Sequence, residues 1–97
     1  MLVEIRKLMI KNNGYNREVS LSKIFVNTDH IVSIVDYHGA KSFLLSEGMK
    51  DYSEKDFSLI KVSNGNKIEE IIALGTSEQV FNSLGQSSKD KKRVLNG

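Results

Sequence analysis

Much of this chain falls into short runs whose apolar residues recur at every second position on one face or both, the signature of strands. The segment 2–10, LVEIRKLMI, sets Val3 and Ile5 on one side together with Lys7, then turns fully apolar at Leu8, Met9 and Ile10. KNNGYN follows, and its Asn-Asn-Gly run supplies residues that tolerate positive φ, so a hairpin is expected there. In the next run, REVSLSKIFVN, Val19, Leu21 and Phe25 share one side and Ile24 and Val26 the other, and β-branched and aromatic residues favour a second strand. Asn27, Thr28 and Asp29 carry side chains that compete with strand ladders for backbone groups, which breaks the run. HIVSIVDYH then reads as a third strand, with Val32 and Ile34 on one face and Ile31, Val35 and Tyr37 on the other.

The segment 39–56 is the least regular. Few apolar anchors stand in it beyond Phe43, Leu44, Leu45 and Met49, and it reads as a long loop holding at most a short helical turn. Loops of that length are uncommon in small domains unless they are functional or mobile. Beyond it, FSLIKVSNGNKIEEIIAL carries Asn64-Gly65 between two strand-like runs, a hairpin signature. A two-residue Asn64-Gly65 loop sets Val62 opposite Lys67 and Ile60 opposite Glu69, apolar against charged. A three-residue loop over 64–66 pairs Val62 with Ile68, Lys61 with Glu69 and Leu59 with Ile71, so that register is expected. The alternative is a helix through Ile68, Ile71 and Ile72, whose spacing also fits. GTSEQVFNSLG predicts a helix outright: Thr76 or Ser77 caps it, Gln79 completes a capping box, Val80, Phe81 and Leu84 form the apolar face, and Gly85 ends it.

These elements make an α+β domain over residues 1–85, a small, mainly antiparallel sheet of about five strands with one face partly covered by the C-terminal helix. Residues 86–97, QSSKDKKRVLNG, lack apolar periodicity and read as a flexible basic tail. A sheet so small leaves edges open, and pairing one with another chain hides it, so a homo-oligomer is expected.

Two blocks, IFVNTDHIVSI and FSLIKVSNGNKIEEIIALGTSEQVFNSL, together resemble the FlbD family of small flagellar-operon proteins. The matched positions are Val26, Asn27, Ile31, Ile34, Asn64, Gly65 and the helix from Ser77. The order of strands, hairpin and helix is also similar to that of LytTR-type DNA-binding domains. The FlbD resemblance implies a small cytoplasmic accessory protein of bacteria or their phages, with no catalytic residues to carry over.

Composition narrows the chemistry. The 97 residues are 39% apolar and 27% charged, as in an ordinary folded domain. The absence of cysteine excludes disulfides, thiolate ligands and a cysteine nucleophile, and fits a reducing compartment. No apolar run approaches the roughly 18 residues of a membrane span, so a cytoplasmic location without membrane contact is expected. The formal charge is +2, and KDKKR at 89–93 holds four cations and one anion, which leaves the rest of the chain near −1. Any attraction to nucleic acid therefore rests on Lys89, Lys91, Lys92 and Arg93.

His30 and His38, eight residues apart on one strand, would stand roughly 26 Å apart and cannot share an ion. With no further convergent ligands, no metal site is expected. Gly75, Thr76 and Ser77 at the helix start offer backbone donors to an anion, although the cap and Glu78 compete for that role. No nucleophile, base or cofactor motif converges, so the chain is expected not to be an enzyme. The leading expectation is a regulatory or accessory module acting through a protein partner. The alternatives are nucleic-acid binding through the tail and the long loop, and capture of a small anionic ligand such as a nucleotide at the helix start or a subunit boundary.

Overall fold

A computed structural model describes residues 1–84, and five antiparallel strands dominate it. They are β1 (Leu2–Asn13), β2 (Asn16–Asn27), β3 (Ile31–Asp36), β4 (Phe57–Asn64) and β5 (Lys67–Leu74). A single 3-10 turn, Thr28–His30, links β2 to β3. Helices α1 (Gly39–Ser46) and α2 (Lys50–Ser53) lie between β3 and β4, and α3 follows β5 from residue 77. The expected α+β class, with a five-stranded antiparallel sheet and a C-terminal helix, is what the chain adopts.

The strand order is β2-β1-β5-β4-β3, so the short link after β2 joins the two outer strands. At no more than about 3.6 Å per residue, the step from Asn27 to Ile31 reaches at most about 14 Å. Five flat strands spaced about 4.8 Å apart would hold their outer members about 19 Å apart. The sheet must therefore curl at that end. Its concave face gathers Val3, Ile5, Val26, Ile60, Val62, Ile71 and Ala73, with Ile24, Ile31 and Ile34 at the margin, and α3 lays Val80 and Leu84 across them.

A second core lies on the opposite face. Leu8, Ala40, Leu44 and Phe57 are buried there, flanked by Val19, Leu21, Ile72 and Leu74. The β1–β2 register explains the split: Val3 faces Val26 and Ile5 faces Ile24, whereas Leu8 faces Leu21 and Ile10 faces Val19. The apolar positions change parity between Ile5 and Leu8, so one hairpin feeds both faces. Both faces of the sheet are thus covered, by α3 on one and α1 on the other, where the sequence led us to expect a single helical cover. Residues 39–56 are correspondingly more ordered than a long loop. Ala40 and Leu44, four apart, form the buried stripe of α1. Arg17 on β2 ties the end of that segment down, 3.0 Å from Glu47 and 5.7 Å above the Phe43 ring.

The β4–β5 hairpin takes a register unlike either considered above. Asn64 pairs with Lys67, Lys61 with Glu70, Ile60 with Ile71 and Ser58 with Ala73, which leaves Gly65-Asn66 as a two-residue loop. Gly65 has φ +64 and, among the described residues, none other than glycine has positive φ, the pattern of a type II′ turn. Gly14 (φ +62) plays the same part in the β1–β2 loop. The expected three-residue loop would have put Ile71 on the face of Leu59 and Lys61; the observed one puts Ile60, Val62, Ile71 and Ala73 on one concave face. Burial of four apolar side chains outweighs the cross-strand pairs, each worth roughly 0.2–1 kcal/mol.

β3 also departs from simple alternation. Ile31 pairs with Val62 and Ser33 with Lys61, so Val32 is the extra residue of a bulge. The bulge lets Ile31 and Ile34 face the same core, and it leaves Val32 outside at 59% exposure.

Candidate functional site

The polar residues around position 30 build a turn. Asn27 Oδ1 accepts from the Asp29 N–H at 3.0 Å and from the Met1 ammonium at 3.2 Å, and the Thr28 N–H donates to the Met1 carbonyl at 2.8 Å. These bonds pin the N-terminus to the corner at which the sheet curls. His30 ends the turn, and His38 precedes α1 beyond the other end of β3. Among the described residues no group of three or more His, Cys, Asp or Glu side chains gathers where an ion could sit.

At the start of α3 the expected capping box is present. The Gln79 N–H donates to Thr76 Oγ1 at 3.1 Å, and Gln79 Oε1 accepts from the Thr76 N–H at 2.9 Å. The Ser77 N–H donates to Asp36 Oδ1 at 2.8 Å, so a carboxylate from the end of β3 already stands at the donors considered for an external anion. That hydrogen bond, seconded by the Ser77 side chain and by His38, holds the Asp36 carboxyl below its ordinary range. Because the folded value is depressed, the anchor contributes stability above the unfolded aspartate pKa of about 3.9 and loses it as pH falls through the folded value. Asp36→Asn is accordingly expected to melt earlier than the parent above about pH 5, with the gap closing in stronger acid. Thermal melts followed by circular dichroism across that range check it; a gap unchanged down to pH 2 would remove Asp36 from the account. Of the residues singled out above, Lys89, Lys91, Lys92 and Arg93 lie outside the described residues, as does Gly85.

The same anchor shapes a groove. By setting α3 beside β3 it leaves a channel of about 540 Å³ lined by Thr28, Ile31, Val32, Ser33, Ile34, Ser77, Glu78, Phe81 and Leu84. Val80 is buried and Leu84 half-buried, whereas Phe81 is 64% exposed beside the channel. Phe81, on the expected apolar face of its helix, and Phe25, on the side of its strand shared with Val19 and Leu21, both stand outside the core, whereas Phe57 is buried. Glu78 is the one acidic or basic side chain among the lining residues, so the channel offers shape and apolar surface rather than a converging set of catalytic groups.

The edge of β3 borders this channel, and it differs from the other edge of the sheet. β2, twelve residues long, carries Arg17, Glu18 and Lys23 along its free edge, charges that discourage pairing with a further strand. β3 reads IVSIVD, with no charge before Asp36, and both Val32 and Val35 are exposed. One edge is guarded and the other open.

A second depression, about 580 Å³, has Lys7, His30, Glu69 and Glu70 among its lining residues. It is wider and more polar, and the Glu69 carboxylate there already accepts from Asn64 Nδ2 at 2.9 Å. Compared with known protein families, curated proteins and solved structures, the chain shows no match to any of them.

Proposed function

We propose that this chain is a small non-catalytic interaction module, a regulatory or accessory protein that holds a protein partner along the open edge of β3. The observation that carries the reading is the uncharged run Ile31–Val35 at a sheet edge, flanked by an apolar channel with Val32 and Phe81 exposed. Strand edges of this kind bind extended segments by adding them to the sheet, main-chain bonds giving affinity and side-chain pockets giving selectivity. The resemblance of two blocks to the FlbD family supports an accessory role, and the cysteine-free composition supports a cytoplasmic setting. Among the described residues no helix is long and apolar enough to cross a membrane.

A photo-crosslinking side chain at position 81 is expected to capture a discrete partner in cells of the native host. The same group at Tyr15, fully exposed at the tip of the β1–β2 hairpin, is expected to capture none. Equal yields from the two positions, or none from position 81, would defeat the reading.

A further inference from the structure

Which segment would fit the β3 edge follows from the charges around it, and the answer rests on the reading just given. The lining residues include one anion, Glu78, and no lysine or arginine. Asp36 closes one end of the strand, and Asp29 stands in the turn at the other. The one cation of β4, Lys61, pairs with Ser33 on one side and Glu70 on the other, and because it lies between Ile60 and Val62, which face the concave core, it points to the opposite face. The channel is lined mainly by apolar side chains with one carboxylate, Glu78, and Asp36 and Asp29 add a carboxylate beyond each end of the run Ile31–Val35.

We infer that the partner of this edge is an extended peptide segment with apolar residues at alternate positions and lysine or arginine at its flanks. The bulge at Val32 limits the regular ladder of β3 to residues 33–36, so about four residues of the guest pair with the strand. Alternate side chains of the guest then point into the channel between Val32 and Phe81, while its flanking cations meet Glu78, Asp36 and Asp29. A second copy of β3 fits less well. In a two-fold pair the same patch meets itself, so the carboxylates of one copy would face those of the other.

The test is selection from a phage-displayed library of random ten-residue peptides on the intact chain, with Val32→Asp and Phe81→Asp as parallel targets. Both side chains are largely exposed, so both variants are expected to fold, and their melts establish it. The expected consensus alternates apolar residues and carries Lys or Arg at its ends. Such peptides should lose roughly tenfold or more in affinity on either variant, and likewise when their basic residues are changed to Glu. Peptides that need Val32 and Phe81 but show no basic bias would overturn this inference and leave the groove reading standing. Peptides with helical i, i+3, i+4 spacing would do the same. Peptides indifferent to both variants, or no enrichment at all, would overturn the two together. A dimer in light scattering that Val32→Asp dissolves would make the occupant a second copy and overturn the inference by that route.

Discussion

Phe57→Ala is expected to lose about 3–5 kcal/mol of folding stability, the largest loss from any single truncation among the described residues. Phe57 is 2% exposed, at the start of β4, and packs with Leu8, Ala40 and Leu44 in the core beneath α1. Removing the ring takes away its transfer free energy and leaves a cavity that the short helix can close only in part. Folded domains hold only about 5–15 kcal/mol in all, so the variant should sit close to its unfolding threshold at room temperature. Urea titration reads the change as a lower midpoint with the slope nearly unchanged. A loss under about 1 kcal/mol would mean that α1 is not seated on this face of the sheet.

The second large effect is expected three residues along the same strand. Ile60 is fully buried on the other face, among Val3, Ile5, Val62 and Ile71, and Ile60→Ala should lose about 2–5 kcal/mol. Because the two side chains point to opposite faces and belong to separate clusters, their effects should add to within about 0.5 kcal/mol in a double-mutant cycle. The cycle is best measured in a stabilising osmolyte, so that the double variant remains folded at the start of the titration. A coupling of 1.5 kcal/mol or more would show that the two cores act as one.

Much of this architecture is legible in the order of residues, and the parts that are not have identifiable causes. The long strands announce themselves because a period of two persists through Val3, Ile5, Val19, Leu21, Ile24 and Val26, and because Gly14 and Gly65 mark the reversals. The cap of α3 is equally local: Thr76 and Gln79 are three residues apart and bond to one another. Helix α1 is obscured because only Ala40 and Leu44 are buried, among serines and a glycine, and because no side chain caps its start after His38. The spacing of Ala40, Phe43 and Leu44 was its one available signal. The β4–β5 register depends on which face Ile71 and Ala73 must share with strands far away in the chain, and pair preferences at the turn do not contain that information. The groove is least legible of all. It requires β3 to be an outer strand, and it requires the Asp36–Ser77 bond, made between residues 41 positions apart.

The seam between β1 and β5 carries a consequence for the order of assembly. Its register is held at one ladder position, Lys7 opposite Ala73, whereas both hairpins zip from tight turns over their whole length. Each hairpin closes a loop of two residues and can nucleate early and independently. The seam joins opposite ends of the described chain, so it bears the greatest loop-closure cost with the least ladder to offset it. Two parts of the sheet, one of two strands and one of three, meet along that line, and their docking is expected to be the slow, long-range step of folding.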